Sequence, residues 1–301
     1  MDKTVLLAVL GEGKVKTDEP LKNLTSFKIG GPADVLCEVS NAEELINIIK
    51  YAKRESIPYF LIGNGSNILA SDKGYRGIII RFAKDYANAS VFEDTIKADA
   101  GITLSKLAQC AMNASLSGLE FASGIPGTLG GALFMNAGAY GGEMKQVVTK
   151  VSVLDCDSLT VKELSNEEMD FSYRHSVLKD KNYIALGCEM RLTPSDKESI
   201  ASYMRELAVK RKEKQPLEYP SAGSTFKRPE GYFAGKLIED AGLGGYTIGG
   251  ASVSDKHKGF VINKGDATAE DVKKLIDHVI KTVQEKDNVT LEPEVLFLGD
   301  F

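Results

Sequence analysis

A stretch that is rich in glycine and alanine and almost free of charge sets the strongest constraint on how this chain folds. It reads EFASGIPGTLGGALFMNAGAYGG and covers residues 120–142. Gly124, Gly127 and Gly130 precede a predicted helix, and the missing side chains let backbone N–H groups approach an anion closely. The N-terminus of a helix favours a phosphate at the same place. The stretch therefore predicts a phosphate-binding turn.

A second glycine turn, GNGSN at residues 63–67, follows the apolar strand YFLIG. Neither turn is the G-x-G-x-x-G fingerprint of dinucleotide-binding folds, and the chain has no G-x-x-x-x-G-K-[ST] phosphate loop. Two separate turns could still share the pyrophosphate of a dinucleotide. The residues by themselves leave open the plainer alternative that these glycines only make tight turns and close packing.

Hydrophobic periodicity predicts helices between strands along the chain. Asn41 and Glu44 fit a capping box before an amphipathic helix. Apolar residues alternate on one face of YIALGCEMRL, residues 183–192, as expected of a strand. This pattern predicts a mixed α and β fold, with a domain border near residue 195, where a charged helix begins. The closing helix has its predicted core face at Val272, Leu275, Ile276, Val279, Ile280 and Val283.

Length and charge limit the class of partner. A chain of 301 residues is long enough for two domains, and a net charge of −5 argues against a nucleic-acid surface and favours small molecules. The apolar run VLLAVL near the N-terminus is too short for a membrane span or a signal-peptide core, so we expect a cytoplasmic protein. The 4 cysteines form no C-x-x-C pair, so we expect reduced thiols and no metal site.

The stretch YPSAGSTFKRP, residues 219–229, places Ser224 directly after a glycine and before two basic residues. A serine nucleophile needs a base, usually histidine, and the chain has only His175, His257 and His278. We expect His257, in SDKHKG, to face solvent. SAGST also departs from the G-x-S-x-G nucleophile elbow. These residues argue against a hydrolase triad.

Several segments occur here in the order seen in the UDP-N-acetylenolpyruvoylglucosamine reductase family: SFKIGGPAD, GNGSN, GIPGTLGGALFMNAGAYG, YRHSVLK, PSAGSTFKRP, GGASVSDKHKGFVIN and LEPEV. The chain resembles this family from about Ser26 to its end. The resemblance implies an α+β fold, with a two-lobed FAD-binding region of the vanillyl-alcohol-oxidase type over residues 1–195 and a smaller substrate-binding domain over residues 196–301. No room remains after YRHSVLK for the βαββ insert of the longer type, so the chain resembles the shorter type, which also lacks the tyrosine loop.

The resemblance further implies that FAD is bound without a covalent link and that NADPH is the reductant. The GNGSN turn contains no histidine or cysteine that could carry a flavin linkage. The implied cofactor-binding residues are Gly63, Asn64, Gly65, Ser66, Asn67, Gly124, Ile125, Pro126, Gly127, Thr128 and Gly130.

The implied reaction reduces the enolpyruvyl group of UDP-N-acetyl-3-O-(1-carboxyvinyl)glucosamine to UDP-N-acetylmuramate, a step of peptidoglycan synthesis that serves cell-wall biogenesis, cell shape and division. Hydride would pass from flavin N5 to C3, and Ser224 would protonate C2. Arg174 would stabilise the enolate, and Glu294 is the third implied catalytic residue. We predict that Glu294 acts in its protonated form, because an ionised carboxylate would repel the enolate. The implied substrate contacts are Tyr173, Lys214 and Arg228.

Two alternatives remain beside this reading. One is a hydroxyacid or aldonolactone oxidoreductase that shares the FAD fold, against which YRHS, SAGS and LEPEV argue. The other is a non-catalytic protein that binds a sugar nucleotide, and such a protein would be colourless.

Arg228 stands where the longer type often has asparagine, and Lys210, Arg211 and Lys212 are expected on a solvated helix face. The sequence does not set the oligomeric state, although we expect a monomer.

Overall fold

A computed structural model describes residues 2–301, and the chain divides into two compact units. The first unit contains the residues up to Lys16, then Leu36–Gly63 and Ile78–Arg211, and the second contains Thr17–Val35, Asn64–Gly77 and Lys212–Phe301. Both units are therefore discontinuous in sequence, whereas the predicted border near residue 195 divides the chain only once. The assignment of residues 1–195 to FAD binding and of residues 196–301 to substrate binding stays a prediction.

Helices and strands are spread over both units. The helices of the described residues are α1 (Lys3–Leu10), α2 (Ala42–Arg54), α3 (Leu104–Asn113), α4 (Leu129–Met135), α5 (Lys197–Lys214), α6 (Ala234–Asp240) and α7 (Ala269–Asp287). The strands are β1 (Val15–Pro20), β2 (Pro32–Val39), β3 (Tyr59–Leu61), β4 (Ile68–Ala70), β5 (Tyr75–Phe82), β6 (Ala89–Phe92), β7 (Thr95–Asp99), β8 (Leu116–Ser117), β9 (Gly138–Ala139), β10 (Gly142–Glu143), β11 (Val148–Asp155), β12 (Thr160–Ser165), β13 (Tyr183–Arg191), β14 (Thr193–Pro194), β15 (Thr247–Ile248), β16 (Ala251–Val253), β17 (Val261–Asn263) and β18 (Leu296–Leu298).

The first unit is built on a five-stranded antiparallel sheet of order β12-β11-β13-β7-β6. The predicted strand at 183–192 is confirmed as β13, and Leu186, Cys188 and Met190 are buried on it. Ala185 is buried as well, so the strand does not alternate strictly between core and solvent. Residues of α3 and α4 complete this core, among them Leu104, Leu107, Leu129 and Leu133.

The second unit has its own core around α7 and the antiparallel sheet β15-β16-β17. The predicted core face of α7 is confirmed, since Val272, Leu275, Ile276, Val279 and Val283 are buried and Ile280 is partly buried. In the same unit β18 pairs in parallel with β4. A further sheet has the order β1-β2-β5-β3, and the chain passes from one unit to the other inside β1, β2 and β5.

The predicted capping box of α2 forms in part. Asn41 Oδ1 accepts the N–H of Glu44 at 2.8 Å, as the pattern predicts. The Glu44 carboxylate, however, accepts the N–H of Ser40 at 2.7 Å and the ammonium of Lys14 at 2.9 Å. A full capping box would need this carboxylate to accept the N–H of Asn41. The ion pair with Lys14 holds it at Ser40, one residue earlier.

The N-terminus of α7 is capped by Thr268, whose hydroxyl accepts the N–H of Asp271 at 3.0 Å, and also by a distant loop. Asp72 accepts the N–H groups of Ala269 at 2.9 Å and Glu270 at 3.1 Å. Changing Asp72 to alanine should lower the free energy of unfolding by about 1 kcal/mol, because two amides of the first turn lose their acceptor. Thermal denaturation should show a melting temperature a few degrees lower. Asp277→Ala is the matched control, since its exposed carboxylate pairs with Lys273 in the same helix; equal shifts for both variants would contradict this role of Asp72.

All four cysteines are free thiols in the structure. Cys37, Cys156 and Cys188 are buried, Cys110 is half-buried, and burial raises the pKa of Cys37 to about 12. Among residues 2–301, no helix is long and apolar enough to cross a membrane. The same residues hold no group of three or more histidine, cysteine, aspartate or glutamate side chains that could bind a metal ion.

Candidate active site

The two predicted glycine turns meet in the first unit at Gly63 and Thr128. A Cβ on Gly63 would lie only 2.4 Å from Thr128 Oγ1, so no larger residue fits there without a shift. Thr128 is buried and pairs with Thr103 in an isolated bridge, in which Leu104 donates its N–H to Gly127 O at 3.1 Å. The segment before α4 is therefore held in one extended conformation against Gly63.

The N-terminus of α4 is only partly available to an anion, in contrast to the prediction. The N–H of Leu129 donates to Ile102 O and that of Gly130 to Ala100 O, both at 2.8 Å. These bonds form because Gly130 packs closely on Ala100, 3.2 Å from where its own Cβ would be. In the described chain, the N–H groups of Gly127 and Thr128 donate to no backbone carbonyl. The phosphate-binding prediction is thus limited to the residues ahead of the helix.

The remaining residues of the GNGSN turn, 64–67, belong to the second unit. Gly65 has a φ of +58°, and a Cβ there would lie 2.1 Å from Leu24 O, so only glycine fits. Ser26 donates its N–H to Gly65 O at 3.2 Å and its hydroxyl to Ser221 O at 2.6 Å. Ser26 thereby ties this glycine turn to the SAGS segment.

Arg211 is a candidate that the sequence reasoning missed. It was expected on a solvated helix face, but it is half-buried, and its Nη1 lies 3.1 Å from where a Cβ on Gly124 would be. Burial lowers the pKa of its guanidinium, and the nearby Tyr140 raises it. Arg211 thus places a cation beside the glycine segment. The sequence shows that Arg211 precedes Lys214 by three residues, but it does not show in which direction the Arg211 side chain points.

Arg174 lies in a tight turn of the first unit. Ser172 and His175 exchange two backbone hydrogen bonds, of 3.2 and 3.1 Å, and Arg174 between them has a φ of +55°. Its guanidinium lies 5.2 Å from the centre of the Tyr173 ring and donates to Gly138 O at 3.5 Å. His175 Nε2 lies 3.1 Å from Asp180 Oδ2, so the ring points toward the Asp180 carboxylate. The side chains of Arg174 and the exposed Tyr173 therefore lie next to each other on this turn.

Ser224 lies in an extended segment of the second unit that is fixed on both sides. Thr225, directly after it, donates its N–H to Gly259 O at 2.8 Å, and its hydroxyl accepts the N–H of Val261 at 2.9 Å. Gly223, directly before it, has a φ of +75°. Ser224 is half-buried, and its hydroxyl makes no hydrogen bond with the described residues. The backbone around the hydroxyl is therefore rigid, while the hydroxyl itself stays available to a ligand.

Glu294 lies on the neighbouring segment of the same unit. Its N–H donates to Thr225 O at 2.8 Å, and its carbonyl accepts from Asn67 Nδ2 at 3.0 Å. Phe226 and Pro293 form a bridge next to this contact. The tertiary structure thus brings Glu294 next to the residue that follows Ser224, although the two are 70 positions apart in the numbering of the chain.

The predicted substrate contacts of the second unit are both exposed cations. Lys214 is the last residue of α5, and Arg228 lies with its guanidinium carbon 4.0 Å from the centre of the Phe233 ring. His257, expected to face solvent, is half-buried instead and accepts the N–H of Gly259 at Nδ1, at 3.1 Å. Burial lowers its pKa, and the charges of Lys258 and Lys214 lower it further. His257 therefore supports the Ser224 segment through Gly259.

Comparison with known proteins gives the family of this chain. A family description, UDP-N-acetylenolpyruvoylglucosamine reductase, C-terminal domain, matches residues 215–298, and another, FAD binding domain, matches residues 33–163. The UDP-N-acetylenolpyruvoylglucosamine reductase of Caldanaerobacter subterraneus subsp. tengcongensis is 55% identical over 98% of this chain and 97% of its own. The chain belongs to the UDP-N-acetylenolpyruvoylglucosamine reductase family. It is an oxidoreductase of the flavoprotein class.

Solved structures agree with this family and fold. The crystal structure of UDP-N-acetylenolpyruvylglucosamine reductase from Thermus caldophilus is 37% identical, with a TM-score of 0.79 over 93% of this chain and 97% of that one. Phl p 4, a grass pollen allergen with glucose dehydrogenase activity, is 12% identical with a TM-score of 0.50 over 65% of this chain and 44% of its own, which shows likeness of fold alone. The predicted α+β class, with an FAD-binding region of the vanillyl-alcohol-oxidase type and a smaller substrate-binding domain, is confirmed.

Proposed function

We propose that this chain is an NADPH-dependent FAD enzyme that reduces the enolpyruvyl group of UDP-N-acetyl-3-O-(1-carboxyvinyl)glucosamine to give UDP-N-acetylmuramate for peptidoglycan. The observation that carries the proposal is the Ser224 segment, a hydroxyl on a rigid backbone with Glu294 on the adjoining segment. The substrate is inferred from the family. Ser224 of the second unit is the proposed proton donor, and it needs no histidine for this role.

The glycine segments fit an FAD. The N–H groups of Gly127 and Thr128 donate to no backbone carbonyl of the described residues, and Gly63 packs without a Cβ directly against Thr128. Arg211 Nη1 lies 3.1 Å from where a Cβ on Gly124 would be, so a cation lies beside the same segment. We propose that Gly63, Gly127 and Thr128 contact the cofactor through their backbones, and that Arg211 neutralises part of its pyrophosphate charge. Asn64, Gly65, Ser66, Asn67, Ile125 and Pro126 complete the proposed contacts. Gly130 belongs to the proposed set through its close packing on Ala100, because its N–H is already bonded to Ala100 O. When bound, FAD would take a hydride from NADPH and supply it to the enolpyruvyl C3.

Ser224 is the proposed proton donor to C2. A hydroxyl gives up its proton only to a strongly basic acceptor, and the enolate that develops at C2 beside the carboxylate is such an acceptor. The bonds of Thr225 to Gly259 and Val261 fix the backbone from which the hydroxyl extends. This preorganisation lets a weak acid act, because no reorientation is needed when the enolate forms.

Arg174 and Glu294 have different proposed tasks. The Arg174 guanidinium, a permanent cation with planar donors, would stabilise the negative charge of the enolate and carboxylate. Glu294 would act in its protonated form and donate a hydrogen bond, because a second anion would raise the energy of the enolate. Tyr173, Lys214 and Arg228 are the proposed substrate contacts, the two cations suiting the diphosphate. The Arg228 guanidinium carbon lies 4.0 Å from the centre of the Phe233 ring, and Arg228 stands where the longer type often has asparagine.

The purified protein and its visible spectrum test the proposal. We expect a yellow protein whose flavin absorbance is bleached by NADPH and restored by the enolpyruvyl sugar nucleotide, with UDP-N-acetylmuramate as the product. A flavin that is restored only by a hydroxyacid or aldonolactone acceptor would favour another oxidoreductase of the same fold. A colourless protein that binds the sugar nucleotide would contradict catalysis altogether. NADH in parallel decides the preference for NADPH, and a cytoplasmic location stays a prediction.

A further inference from the structure

The side chain of Asn136 is the most completely engaged buried amide near the Arg174 turn. It is 1% exposed, and its Nδ2 donates to Ser172 O and to Glu143 Oε2, both at 3.1 Å. Its Oδ1 accepts the N–H of Lys145 at 2.9 Å. Two partners only accept and one only donates, so a single orientation of the amide satisfies all three bonds.

The turn that carries Arg174 is anchored to the end of α4 at both sides. Asn136, the residue that ends α4, holds the carbonyl of Ser172 before the turn. Ser176, after the turn, is fully buried and donates its hydroxyl to Phe134 O at 3.0 Å. Arg174 itself has a φ of +55°, a conformation that costs a non-glycine residue about 1 kcal/mol or more and persists only where its surroundings enforce it.

We propose that Asn136 is a positioning residue for Arg174. Its amide links the Ser172 carbonyl to the β9–β10 hairpin, and the same hairpin accepts the Arg174 guanidinium at Gly138 O. Asn136 thus fixes the turn and the hairpin in one arrangement, and it thereby holds the guanidinium that is proposed to stabilise the enolate. This inference rests on the proposed function, since it assigns Arg174 to the step in which the enolpyruvyl group is reduced.

Asn136→Gly removes these contacts and keeps the helix end. Asn136 has φ 41° and ψ 56°, the left-handed conformation that glycine adopts at helix C-termini without cost. The variant should therefore fold and keep its flavin. Asn288→Gly is the matched control, because Asn288 ends α7 in the same conformation, with φ 54° and ψ 32°, and is exposed in the second unit.

The two half-reactions give the kinetic test. In Asn136→Gly, bleaching of the flavin by NADPH should stay within about twofold of the parent rate, whereas reoxidation by the enolpyruvyl substrate should slow about 10²-fold, the size expected for a misplaced catalytic group. Asn288→Gly should leave both rates unchanged. Equal slowing of both half-reactions, or no slowing of reoxidation, would overturn the proposal.

A double-mutant cycle with Arg174→Ala separates positioning from a general structural effect. Since Asn136 acts through Arg174, adding Asn136→Gly to Arg174→Ala should slow reoxidation by no more than about twofold further. An undiminished loss in the Arg174→Ala background would contradict the proposal. If the parent enzyme is not reoxidised by the substrate at all, the proposed function fails, and that outcome is read from the parent alone.

Hydrogen exchange gives a readout that needs no substrate. Backbone amides of residues 170–178 should exchange faster in Asn136→Gly than in the parent protein, because the Ser172 carbonyl has lost its anchor. The same segment should be unaffected in Asn288→Gly. Unchanged exchange at 170–178 in Asn136→Gly would show that the turn is held without Asn136, and the proposal would then be wrong whatever the substrate is.

Discussion

Replacing Ser224 with alanine should leave bleaching of the flavin by NADPH intact and slow its reoxidation by the enolpyruvyl substrate by about 10²- to 10⁴-fold, the contribution expected of a general acid. The first half-reaction needs no proton on C2, whereas the second cannot finish without one. The backbone bonds of Thr225 do not involve the Ser224 side chain, so the segment should keep its conformation. Stopped-flow absorbance of the flavin measures each half separately.

Ser221→Ala is the matched control for this experiment. Ser221 is the first serine of the same SAGS segment, and the Ser26 hydroxyl bonds to its backbone carbonyl, which the substitution keeps. We expect both half-reactions of Ser221→Ala to stay within about threefold of the parent rates, since no charged or polar side-chain contact is lost. Normal reoxidation of Ser224→Ala would refute the role of Ser224, and equal losses in both variants would point to a disturbed segment instead.

Replacing Gly63 with alanine should release the flavin. The new Cβ would lie 2.4 Å from Thr128 Oγ1, so either Thr128 or residue 63 must move out of the proposed cofactor contact. Because Thr128 is buried and its neighbours are fixed by backbone bonds to residues 102 and 104, we expect the shift to weaken FAD binding at least about tenfold. The ratio of flavin to protein absorbance, followed by titration of the apoprotein with FAD, gives the measurement.

Removing Thr128 Oγ1, the atom that clashes, should restore the FAD binding that Gly63→Ala loses. In Gly63→Ala with Thr128→Ala, the next contact of the new Cβ is with Thr128 Cβ at 3.5 Å, an ordinary distance. The double variant should therefore bind FAD nearly as well as Thr128→Ala alone. Gly13→Ala, which strains a residue at φ +90° without any contact within 4 Å, controls for a general loss of stability. Failure of the double variant to recover would show that the clash is not the cause.

Local sequence predicted the elements whose signals lie within a few residues. The apolar spacing on α7 and the alternation on β13 are properties of one segment, and the structure confirms both. The predicted capping box at Asn41 forms only in part, because Lys14, thirty positions away, competes for the Glu44 carboxylate. The same limit applies to His257 and Arg211, whose sequence context looked solvated, while distant backbone segments cover them.

The sequence by itself determined the family and the α+β class, because ordered motifs can be recognised without the structure. It also suggested the residues proposed to reduce an enolpyruvyl group, because the chain has few histidines. Only the tertiary structure decided how the residues are held. It divided the GNGSN turn at Gly63 and Asn64, set Glu294 beside Thr225, and anchored the Arg174 turn through Asn136. These placements depend on hydrogen bonds and close contacts between segments far apart in the chain, and local propensity carries no information about such partners.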